Sequence, residues 1–171
     1  MRNPPEHHKA IVHHLRDRFS SRGKVFAYRD NNGKLPMLIA EFDCEAGRFY
    51  STIGICDRKL PIPSGVYELA AIGKPPWLPN AVASSIYYLR GRSFDEWPLV
   101  CEDVVKSNAK STYRHMAYMP ARHEFHVPSL KTHVRWLLGL PIKDAEISLS
   151  SDALAAKIQA CYPTWLFGDD A

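Results

Sequence analysis

The chain has 171 residues, 46% of them apolar and 23% charged, with a formal charge of +4. That length suits one domain with a sizeable core, and the composition is that of an ordinary globular chain, not a disordered, fibrous or disulfide-framed one. No apolar run approaches the roughly 18 residues a membrane-spanning helix needs, and the charged, histidine-rich start lacks the apolar stretch of a secretory signal. A reducing cytoplasm is the expected setting, in keeping with four widely spaced cysteines, Cys44, Cys56, Cys101 and Cys161, that form no C-x-x-C pair.

Asn3 is expected to cap a first helix whose opening turn holds Pro4, Pro5 and Glu6. Ile11, Val12, Leu15 and Phe19 follow at helical spacing, and Gly23 is the expected stop. This helix, residues 1–23, is basic: residues 1–35 carry eight Lys/Arg against three acids, whereas the rest of the chain sets 14 bases against 15 acids. Four strand-like runs come next, at 24–29, 37–42, 48–56 and 66–72. The first two are joined by "DNNG" at 30–33, a turn signal because Asn and Gly tolerate positive φ.

Asn80 is expected to cap a second helix with an inward stripe of Val82, Ile86 and Leu89, ended by Gly91. A strand near 98–105 and two short strands at 113–120 and 124–128, each stopped by a proline, come after it. In "HVRWLLGLPIKDAE" (133–146), Val134, Trp136, Leu138 and Leu140 fall on one face and Arg135, Leu137 and Gly139 on the other. Both faces are mostly apolar, which predicts a strand covered on two sides. Pro141 should end its ladder, and Asp144 and Glu146 suit the helix N-terminus expected next. Ser150 or Ser151 caps a last helix through Leu154, Ile158 and Cys161 as far as Pro163. Hairpin signals dominate over βαβ alternation, so the predicted class is α+β: a single domain, residues 1–171, with a mixed or largely antiparallel sheet flanked by helices.

Signals for catalysis are weak. No G-x-S-x-G elbow, phosphate-cradling loop or catalytic cysteine signature occurs. His7, His8, His13 and His14 lie on the first helix at spacings that give no i,i+3 or i,i+4 pair, so they present no bidentate site on one helix face. His115, His123 and His126 with Glu124 are the better ligand set, and they define one alternative function, a metal-dependent hydrolase. Arg16, Arg18 and Arg22 define another, nucleic-acid binding through the basic helix. The expectation itself is no catalytic residue, no cofactor and no metal. Binding has the stronger signal: Tyr87, Tyr88, Arg90, Arg92, Asp95, Glu96 and Trp97 gather the residue types that anchor protein interfaces. With Val82, Ile86 and Leu89 facing inward, Tyr87 and Tyr88 cannot both be buried.

Motif order adds a family likeness. "YSTIGICD" (50–57), "YELAAI" (67–72), "MAYMPARHEFHV" (116–127) and the leucine-rich strand entering "LPIKDAE" together resemble the suppressor-of-fused domain over about residues 37–149. The resemblance implies a non-enzymatic protein-binding domain. Its stand-alone bacterial members look like immunity or antitoxin proteins that neutralise a polymorphic toxin by direct binding. The implied partner is another protein, a toxin domain, with no membrane and no nucleic acid; homo-oligomerisation stays open.

Overall fold

The computed structural model describes residues 3–29, 36–58, 60–62, 65–90, 92–94, 96–105 and 111–167, with only the backbone for Trp165 and Phe167. The expected turn at 30–33, the helix stop at Gly91 and the candidate Asp95 lie outside the described residues. Seven strands, β1 (Lys24–Tyr28), β2 (Met37–Cys44), β3 (Gly47–Ile53), β4 (Val66–Gly73), β5 (Leu99–Cys101), β6 (His115–Val127) and β7 (Thr132–Ile142), form one mixed sheet in the order β1-β2-β3-β4-β7-β6-β5. Only β4 and β7 run parallel; every other neighbouring pair is antiparallel. The class is α+β, and β1 and β5 are the sheet edges.

Both sheet faces are covered, as the two-faced apolar pattern of β7 requires. On one face α2 (Leu78–Arg90) packs through Val82, Ile86 and Leu89 against Ile39, Leu69 and Leu137. On the other, α1 (Glu6–Phe19), α3 (Ser151–Ala160) and the short α4 (Thr164–Phe167) cover Phe42, Phe49, Val134, Trp136 and Leu138. Leu137 belongs to the first core; Trp136 and Leu138 belong to the second. Burying strands on both faces forces their polar atoms to find partners. Trp136 Nε1 donates to Ser51 Oγ at 2.9 Å, Tyr118 Oη to Ser85 Oγ at 2.9 Å, and Tyr162 Oη to the Gly139 carbonyl at 2.7 Å.

Several expected boundaries move. α1 starts at Glu6 behind an extended Pro5, so Asn3 is not its cap, and it ends at left-handed Ser20, three residues before Gly23. Pro5 keeps Pro4 out of helical geometry, and the first helical hydrogen bond is that of Lys9 N–H to the Pro5 carbonyl, at 3.2 Å. α2 starts at Leu78, two residues ahead of Asn80. β5 is confined to Leu99–Cys101.

The largest correction concerns the two strands expected at 113–120 and 124–128, which are a single long strand, β6 (His115–Val127). Pro120 lies inside it, and the register with β7 shifts between Pro120 and Glu124. β5 pairs β6 only from Met116 to Tyr118, so from Pro120 onward β6 has one neighbour, and an edge position beside a bulge tolerates a residue without an N–H. Pro141 likewise does not end β7. It pairs with Met116 on the β6 side, beyond the last β4 partner at Gly139. Asp144–Glu146 then form one 3-10 turn in place of a helix, and Ser150, whose Oγ accepts from Ala153 N–H, caps α3.

Candidate functional site

The last turn of α2 and the segment after it bring the aromatic and cationic candidates together. With Val82, Ile86 and Leu89 facing the core, Tyr87 is turned outward at 38% exposure, while Tyr88 is half-buried and packs near Phe94. The Arg92 guanidinium lies 4.2 Å from the Tyr88 ring centroid, and that of Arg90 lies 5.8 Å from the Tyr87 ring, both within cation–π reach. Trp97 is half-buried edge-on to Tyr67, with ring centroids 6.3 Å apart, and Glu96 is exposed. A shallow cavity of about 290 Å³ opens beside this patch, bordered by Ser84, Tyr87, Tyr88, Glu102, Asp103 and Val104.

The histidine set of the hydrolase alternative is not assembled. His115 pairs with Ile142 at one end of β6, and His126 pairs with His133 near the other. Eleven strand positions separate them, roughly 35 Å at ordinary strand rise, too far to share an ion. His115 is also fully engaged. Its Nδ1 accepts from Asp103 N–H at 3.1 Å, so Nε2 carries the proton and donates to Asp144 at 2.7 Å. His123 stacks on His14, ring centroids 5.3 Å apart, and Glu124 ion-pairs with Arg135 across the ladder. Of the nucleic-acid candidates, Arg16 lies 3.7 Å from Asp17, and Arg18 borders a cavity of about 570 Å³ that Asp43 and Glu45 also line. Cys44 and Cys161 border that cavity too, and burial pushes both thiols up, away from the nucleophilic thiolate.

A different centre was not foreseen from the sequence. Glu68 on β4 is completely buried, and burial raises its pKa against the donors that surround it. Its Oε1 accepts from the N–H groups of Gly54 (2.8 Å) and Cys56 (3.1 Å). Its Oε2 takes Ile55 N–H (3.2 Å) and the Thr52 hydroxyl (2.5 Å). Thr52 Oγ1 in turn accepts Leu69 N–H at 2.8 Å. One carboxyl thus bends the chain sharply after β3.

That bend presents Cys56 and Asp57 to the first turn of α1. Asp57 Oδ2 accepts from His8 Nε2 at 2.8 Å, and His7 Nε2 lies 2.6 Å from Oδ1. Burial and the neighbouring Glu68 push the Cys56 thiol up. Among the described residues, His7, Cys56 and Asp57 are the group of His, Cys, Asp or Glu side chains whose donor atoms all lie within 4.8 Å of one another. Sequence reasoning missed the group because it looked for histidine pairs on a single helix face. These donors come from two elements some 50 residues apart.

No known family profile matches the sequence, and no curated protein matches it. The fold does have solved counterparts. A chain in the crystal structure of the Sufu–Fu complex superposes with a TM-score of 0.65 at 12% identity, covering 96% of this chain and 90% of that one. The fold is Suppressor of Fused-like. A second counterpart, the crystal structure of Drosophila Suppressor of Fused, gives a TM-score of 0.56 at 12% identity. There the match again covers 96% of this chain but only 50% of the other, so this chain spans about half the length of that protein. Thr52, Gly54, Ile55 and Cys56 of "YSTIGICD" and Glu68 and Leu69 of "YELAAI" are the residues of the Glu68 cradle. Among the described residues no helix is long and apolar enough to cross a membrane.

Proposed function

We propose that residues 1–171 form a single non-enzymatic protein-binding domain that neutralises a partner by occlusion, as an immunity or antitoxin protein neutralises a toxin. The observation that carries this reading is the match over nine-tenths of a chain crystallised in the Sufu–Fu complex. The patch at the end of α2 fits it. Tyr87, Tyr88 and Trp97 offer rigid aromatic area, and Arg90, Arg92 and Glu96 supply a charged surround. Occlusion needs only a pre-formed surface of about 800 Å² per partner. The proposed setting is the cytoplasm of a bacterial cell, where the four thiols stay reduced.

Tagged protein, captured with its bound material from extract of its own source cells, is expected to retain one stoichiometric protein with a toxin-like domain. Recovery of the protein alone, with that candidate expressed beside it and left unbound, sinks the reading. Once the partner is in hand, Trp97→Ala is expected to weaken binding by about 2 kcal/mol or more, roughly thirtyfold in Kd. A folded variant that binds unchanged removes Trp97 from the interface.

A further inference from the structure

Three buried side-chain atoms among the described residues have no hydrogen-bond partner: His7 Nε2, His8 Nδ1 and Arg58 Nη1. All three belong to the junction between the first turn of α1 and the segment after β3. Buried polar groups are rarely left unsatisfied, and such a concentration asks for an explanation. His7 Nε2 is the informative one. It lies 2.6 Å from a carboxylate oxygen, yet the geometry is not that of a hydrogen bond. A buried imidazole nitrogen that makes no hydrogen bond, with a thiol and a carboxylate beside it, has the company of a metal ligand.

The geometry points to a binding site for one divalent ion of the zinc class, held by His7 Nε2, Cys56 Sγ and Asp57 Oδ1. Imidazole, thiolate and carboxylate are a donor set that zinc accepts, and the thiolate disfavours magnesium and calcium. Bonds of about 2.0–2.3 Å place tetrahedral donors roughly 3.3–3.8 Å apart. The three donors lie within 4.8 Å of one another, and His7 Nε2 and Asp57 Oδ1, now 2.6 Å apart, would open to that spacing around the ion. Asp57 Oδ2 continues to accept from His8 Nε2, a contact that orients the ligating carboxylate. On binding, the Cys56 S–H bond breaks, the proton leaves to solvent and the sulfur lone pair goes to the ion. Solvent completes the fourth position.

The support is rigid. Glu68 fixes the N–H groups of residues 54–56, and the hydrogen bond it takes from the Cys56 thiol is given up when the ion binds. Gly54 adopts φ +92°, and a Cβ there would stand 2.5 Å from His8 Nε2, so the loop passes directly beneath the histidines. This site is independent of the partner-binding reading.

The test uses the untagged full chain, stripped with chelator and titrated with Co²⁺ and then Zn²⁺. One equivalent of Co²⁺ is expected to give a saturable thiolate-to-cobalt charge-transfer band that Zn²⁺ abolishes. Stoichiometric Zn²⁺ should also raise the thermal midpoint. Cys56→Ser should remove the band, Cys101→Ser should keep it, and His7→Ala should weaken binding at least tenfold. His7 lies on the first turn of α1, so His7→Ala tests the site even where Cys56→Ser fails to fold. The proposal is overturned by no saturable band, by a band that survives in folded Cys56→Ser, or by unchanged affinity in His7→Ala.

Discussion

Glu68 shows how one residue can organise a segment. A buried carboxyl with four donors replaces the backbone pairing that residues 54–56 lose when β3 ends. Truncation by Glu68→Ala would strand three backbone N–H groups, each costing about 1–3 kcal/mol when unsatisfied and buried. Water entering the space offsets part of that, so a net loss of about 3–5 kcal/mol is expected, read as a lower urea midpoint with unchanged slope. Glu68→Gln keeps an acceptor for one pair of donors and should lose less. Equal losses in the two variants would show that shape, not hydrogen bonding, is what Glu68 supplies. The sequence displayed Thr52, Gly54 and Glu68 only as a familiar pattern, because nothing local says that a glutamate will be buried 14 positions from the amide it holds.

Strand pairing explains where local reading erred. Proline at residues 120 and 141 reads locally as a stop, yet β6 and β7 run through both because each proline sits where its strand has lost one neighbour. Local chemistry forbids proline in a central ladder position; whether a position is central is a property of the sheet. Gly139 carries a related constraint. A Cβ on it would lie 2.4 Å from the Tyr118 ring, which is buried and tied through Ser85 to α2. With no room to retreat, Gly139→Ala is expected to cost about 2–3 kcal/mol by overpacking, measured by chemical unfolding. A loss under about 0.5 kcal/mol would mean that the β6–β7 contact is looser than drawn.

At the scale of the molecule, the helical layer of α1, α3 and α4 closes one sheet face, and part of its attachment is electrostatic. Glu146, at the exit from β7, ion-pairs with Lys157 on α3 and accepts Lys143 N–H. The Lys157 ammonium, foremost, holds the Glu146 carboxyl below the ordinary range. Because the folded value is depressed, the stability it contributes is present above the unfolded glutamate value of about 4.3 and is lost as pH falls through the folded value. Glu146→Gln should therefore lower stability near neutral pH by a small amount and flatten the decline below about pH 4. An unchanged acid limb in the variant would assign that decline to other carboxylates. The basic surplus of α1 belongs to this scale too: Arg16, Arg18 and Arg22 are all exposed, Arg16 lies 3.7 Å from Asp17, and Arg18 shares a cavity rim with Asp43 and Glu45.

The sequence by itself determined the class of the fold, the two-sided burial of β7 and the division of labour along α2. Periodicity reports which residues must leave water, whatever they pack against. It also required one of Tyr87 and Tyr88 to face outward, because Val82, Ile86 and Leu89 had already claimed the inward face; the structure turns Tyr87 out. Only the tertiary structure decided that His115–Val127 is one strand, that His115 and His126 lie at opposite ends of it, and that His7 and His8 meet Cys56 and Asp57. Those facts depend on pairing register and on the turn enforced by Glu68. Both are set by contacts between residues far apart in the chain, for which no local spacing carries a signal.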